Sequence, residues 1–102
     1  LLERLFIANA EKPLWAFEQA LGSGACEAVL GWIDKPRAKD IRRLQLAAER
    51  GRTLGILFRT LRAARESSAA ILRLVLQPAE QGVRVTLLKS RGGRRGTLEI
   101  RW

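Results

Sequence analysis

Between residues 13 and 58, two amphipathic helical stripes alternate with two apolar runs of strand length. Few folds accept that order. Leu14, Phe17 and Leu21 recur at i, i+3 and i+7, behind Pro13, which suits a first helical turn because its missing N–H is not needed there. Gly22-Ser23-Gly24 marks the stop, since glycine takes the left-handed conformation of a helix C-cap. Ala25–Ile33 follows without strict polar alternation, which predicts a strand covered on both faces. Asp34 and Pro36 predict the cap and first turn of a second helix, with Ile41, Leu44, Ala47 and Ala48 inward and Gly51 as its stop. Thr53–Phe58 then reads as a second buried strand.

On either side the pattern continues. Leu2–Ala8 reads as a leading strand. Residues 59–70 are basic, then polar, and read as a loop or short helix. Strand signals recur at Ile71–Gln77, Val83–Lys89 and Thr97–Trp102, with 78–82 as a hairpin turn. The resulting order is β-α-β-α-β, a loop, then β-β-β. It predicts an α/β fold, a doubly wound and mostly parallel sheet with an antiparallel three-stranded extension on one edge. At 102 residues the chain reads as a single domain, 1–102.

Charge is segregated along this order. Residues 1–34 carry two basic and five acidic side chains, residues 35–65 ten basic and two acidic, and residues 89–102 five basic and one acidic, within a net charge of +9. Such segregation favours an anionic partner, nucleic acid included. Arg59, Arg62, Arg65, Lys89, Arg91, Arg94 and Arg95 are the candidate anion or DNA contacts, acting by phosphate neutralisation without base reading. Trp15 falls off the Leu14/Phe17/Leu21 stripe and is the candidate partner contact. Trp32 is expected in the core or lining a pocket, and Cys26 as a small buried apolar side chain.

Catalytic chemistry is thin. With no His and one Cys, a Ser-His-Asp triad, a Cys-His pair or a zinc site is not expected, and no cofactor or metal is called for. No Gly-x-x-x-x-Gly-Lys-Ser/Thr phosphate loop is present, and Gly22–Ala25 follows a helix rather than opening one. The lone cysteine and the lack of an apolar run of about 18 residues predict a reducing, cytoplasmic setting.

Three stretches, 14–33, 42–59 and 83–93, together resemble the ImuA family, SulA/RecA-related accessory factors of bacterial translesion DNA synthesis. The resemblance implies the C-terminal half of a RecA-like core, without the N-terminal half that holds the phosphate loop. It implies a non-catalytic scaffold of the SOS response. The implied partners are an ImuB-type polymerase-like protein and an error-prone replicative polymerase complex, with RecA and single-stranded DNA as further contacts. Against RecA, Trp32 stands where that family has its magnesium-binding aspartate, and Arg59-Thr60 where it has a nucleotide-sensing glutamine. Lys89 and Arg91 match in spacing and sign two lysines that reach a neighbour's ATP across the RecA filament. A half-core also implies exposed edges and hence a homo-oligomer. The alternative is a SulA-like cell division inhibitor that binds a tubulin-like protein.

Overall fold

The computed structural model describes residues 10–102; the strand expected at Leu2–Ala8 lies outside the described residues. The chain divides into two compact units, one ending at Phe58 and the other spanning Arg59–Trp102. It is mixed α/β. Its described strands form a two-stranded parallel sheet and, as a sheet of its own, a three-stranded antiparallel one.

The first unit is a helix-strand-helix-strand run: α1 (Pro13–Ser23), β1 (Ala28–Trp32), α2 (Ala38–Gly51) and β2 (Leu54–Phe58). Pro13 sits in the first turn of α1, and Gly24, with φ 72°, closes it in the left-handed region. Phe17 and Leu21 of α1 meet Leu44 and Ala47 of α2 in one core cluster. Val29 and Ile33 from around β1 and Leu57 of β2 pack against it. Both helices therefore cover the same face of the β1–β2 pair. Gly31 makes the approach of α1 possible, because a β-carbon there would collide with the Phe17 ring.

The start of α2 differs from expectation. Asp34 is not its cap; Arg37, in extended conformation, is the N-cap, and Pro36 precedes the helix. The capping carboxylate comes instead from inside the first turn: Asp40 accepts the Arg37 backbone N–H at 2.9 Å. At the other end the left-handed residue is Arg52, φ 52°, rather than Gly51. Gly51 is the last helical residue, where a side chain would run into the Leu21 carbonyl. The stripe of Ile41, Leu44 and Ala47 is buried as its spacing requires.

The second unit opens with a 3₁₀ turn, Leu61–Arg65, then forms β3 (Arg73–Ala79), β4 (Gly82–Lys89) and β5 (Gly96–Arg101) in the order β3-β4-β5. Glu80 and Gln81 connect β3 to β4, and residues 90–95 connect β4 to β5. Gly93, φ 73°, supplies the left-handed residue of the second connection.

Candidate functional site: two open apolar sheet faces

Parallel pairing sets Ala28 against Leu54, Leu30 against Ile56, and Trp32 against Phe58. Side chains alternate faces along a strand, so these six share the face turned away from the helices. Neither strand is covered on both sides as the unbroken apolar runs suggested. Leu30, Trp32, Leu54, Ile56 and Phe58 are exposed large hydrophobics, with Trp32 at 71%. The expectation that Trp32 is core or pocket lining is corrected in the same way. Its ring stacks on Phe58 with centroids 4.8 Å apart and planes within 16°, making a flat aromatic plate at the C-terminal ends of both strands. Among the described residues, two strands with helices on one side only leave the second face open.

Cys26 is exposed rather than buried, because β1 begins two residues later. The Thr53 hydroxyl proton is shared between the Cys26 carbonyl at 3.2 Å and the Gly51 carbonyl at 3.1 Å, an arrangement that ties the entrances of β1 and β2 together. Trp15 is 58% exposed on α1. Arg43 of α2 donates to Glu18 of α1 at 2.6 and 3.2 Å, and its guanidinium is held charged above its ordinary range by that hydrogen bond and charge.

The antiparallel sheet repeats the one-sided pattern. Leu74 pairs with Leu87, Leu76 with Val85, and Pro78 with Val83. Across the next ladder Val83 faces Ile100 and Val85 faces Leu98. These residues lie on one face and are all apolar. The opposite face carries the Arg84–Glu99 ion pair at 3.0 Å and a Thr86–Thr97 hydroxyl contact at 3.4 Å. Leu74, Leu76, Leu98 and Ile100 are exposed on the apolar face.

The seven basic candidates gather at one end of this sheet. Arg59 pairs with Glu66 at 3.2 Å across the 3₁₀ turn, while Arg62 and Arg65 on that turn are exposed. Arg73 donates to the Ala63 carbonyl at 2.9 Å, and Lys89, its cross-strand partner, donates to the Ser68 carbonyl at 2.8 Å. Those two bonds hold residues 63–68 at the end of the sheet from which the β4–β5 connection projects. Arg91, Arg94 and Arg95 lie in that connection, and no ion pair engages them among the described residues. Lys89 is thus committed to backbone, and the free guanidiniums are those of the loop and the turn.

Among the described residues no group of three His, Cys, Asp or Glu could hold a metal ion, and no helix is long and apolar enough to cross a membrane. Leu30, Leu54, Ile56 and Phe58, in runs whose composition predicts buried strands, stand at the surface. One signal was available: a glycine inside an apolar strand, as at Gly31 and Gly55, marks the side a helix approaches and leaves the other residues for the far side.

The arrangement defines a small α/β chain that presents apolar sheet faces instead of enclosing them. Over part of its length it is similar to known inhibitors of cell division. It is 44% identical over 55 residues to the cell division inhibitor SulA of Photorhabdus laumondii, covering 54% of this chain and 31% of that protein. Against SulA of Edwardsiella piscicida it is 44% identical over 50 residues, 49% of this chain and 30% of that protein. The matched region spans about a third of each relative. These matches support a SulA-related family and do not single out ImuA. No family model matches the chain, and no solved structure matches it.

Proposed function

We propose that the chain is part of a SulA-like, SOS-linked inhibitor of cell division. In this reading it acts by binding a tubulin-like division protein and performs no catalysis. The observation that carries this is the 44% identity to two SulA proteins over about half of the chain. The open β1–β2 face is consistent with it. Covering five exposed apolar side chains, two of them stacked aromatics, stabilises a complex by roughly 1.5–3 kcal/mol per fully buried residue before association entropy is deducted.

The test is expression of the chain in dividing bacteria, with pull-downs against a tubulin-like division protein and an ImuB-type protein. Filamentous cells and retention of the tubulin-like partner are expected, both lost in Trp32→Ala/Phe58→Ala. Normal division with selective retention of the ImuB-type protein would instead return the chain to the translesion-synthesis reading, which the resemblance of the Arg91–Gly96 hairpin and its flanking strands to ImuA favours.

A further inference from the structure

The second apolar face belongs to β3, β4 and β5 and is independent of the reading above. Its chemistry is unusually specific about what covers it. Leu74 and Leu76 of β3, Val83 and Val85 of β4, and Leu98 and Ile100 of β5 share one aliphatic face. Three strands about 4.8 Å apart and six residues long make a patch roughly 10–15 Å wide and 20 Å long. A helix about 10 Å thick, rising 1.5 Å per residue, fills that patch with roughly 12–14 residues. An amphipathic helix on one sheet face is the common two-layer solution for such a surface.

Charge selects among occupants. At the Leu74/Leu87 end of the sheet the β4–β5 connection carries Arg91, Arg94 and Arg95. None of the three is engaged in an ion pair among the described residues. A second copy of the chain would bring another net charge of +9 to the contact, so like charges would face each other. Single-stranded nucleic acid binds sheet faces by stacking bases on aromatic rings, and β3–β5 carries none. Surfaces that settle at a lipid headgroup layer gather several Trp or Phe there; within β3–β5 this face is aliphatic, and the ring next to it, Trp102 just past β5, lies at the end away from the β4–β5 connection.

We propose that the β3–β5 apolar face, with the arginines of the β4–β5 connection at one end, is a docking site for an amphipathic helix of a partner protein whose apolar stripe is flanked by acidic residues.

The experiment uses the whole chain and a fluorescein-labelled 14-residue peptide with a leucine stripe at helical spacing and glutamate elsewhere. A peptide with the same stripe and lysine in place of glutamate is the control. A 20-nucleotide single strand and phosphatidylglycerol vesicles are parallel probes. The glutamate peptide is expected to bind at least tenfold more tightly than the lysine peptide, and to weaken as salt rises from 50 to 300 mM. Leu76→Asp and Leu98→Asp should each weaken it tenfold or more, with circular dichroism checking that these exposed positions leave the fold intact. Arg91→Glu/Arg94→Glu/Arg95→Glu, in a loop outside the strands, should reverse the peptide preference. Equal binding of the two peptides overturns the proposal, as does indifference to Leu98→Asp. So does preferential capture of the oligonucleotide or vesicles, or a Leu98-dependent self-association in place of peptide binding. None of these results bears on division arrest through the β1–β2 face, so the two readings fail separately.

Discussion

Phe17 and Gly31 form the contact on which the first unit turns, and a double-mutant cycle measures it. Phe17 is buried, and its ring edge occupies the space a β-carbon at position 31 would need. Phe17→Ala removes a buried ring, which in cores costs about 3–5 kcal/mol. The upper half of that range is expected, because the strand residues facing the ring are Gly31 and Gly55, with no side chains to move into the cavity. Gly31→Ala alone overpacks the same space and costs about 1–3 kcal/mol. Combined, the new methyl enters the vacated volume. The double variant should then be more stable than the sum of single effects by at least about 1.5 kcal/mol, within the 0.5–3 kcal/mol typical of contacting residues. Urea denaturation followed by far-ultraviolet circular dichroism gives all three values, with the denaturant slope confirming a common transition. Additivity to within about 0.5 kcal/mol would refute the packing account, since independent sites behave that way.

Further predictions follow from the capping groups. The Asp40 carboxyl is held below its ordinary value, first by the Arg37 backbone N–H and then by the Arg37 side chain. Its stabilising contribution is therefore present above the carboxyl's unfolded pKa and is lost as pH falls through the lower folded one. Asp40→Asn should flatten the acid limb of a stability profile, and an unchanged limb would remove the assignment. Arg52→Gly should stabilise the chain by about 0.5–1 kcal/mol in thermal or urea melts, since φ 52° suits glycine at a helix C-cap better than a side chain. Thr53→Val keeps the shape and deletes the one hydroxyl donation shared between the Cys26 and Gly51 carbonyls, so a loss of about 1 kcal/mol is expected on the same assay.

Local features were legible in the residues. The Leu14/Phe17/Leu21 and Ile41/Leu44/Ala47 spacings, Pro13, Gly24 and the three terminal strands follow from periodicity and backbone preference alone. Solvent exposure of a face was not legible, because an apolar run states what a strand could bury and not whether anything is there to cover it. That is the reason Trp32 and Phe58 were read inward and stand outward. Asp34 misled for a smaller reason: Asp40, three residues after Arg37, reaches back to the N-cap amide, so the helix needs no capping side chain before it. The basic candidates were recognised individually. Their convergence was not, because it depends on Arg73 and Lys89 drawing residues 63–68 to one end of a sheet whose register only folding sets.

In the β1–β2 sheet, strand parity separates the residues that pack in the core from those that face outward. On β1, Val29 packs toward α1 and Gly31 admits the Phe17 ring, while Leu30 and Trp32 point away; on β2, Gly55 and Leu57 lie on the helix side and Leu54, Ile56 and Phe58 on the other. Polar substitutions on the first set remove core contacts. At Leu30 and Leu54 the same substitutions replace apolar area that mostly meets water, and surface changes of this kind usually move stability by no more than about 0.5 kcal/mol; at Trp32 and Phe58 loss of their stack adds roughly 0.5–1.5 kcal/mol. A sheet retained only for its own stability would gain solubility from polar residues at those outward positions. Five large apolar side chains at consecutive outward sites, two of them stacked, make sense as a surface that another molecule covers. Scanning alternate residues of β1 and β2 should therefore give two non-overlapping phenotypes, lost folding at one parity and lost binding with intact folding at the other.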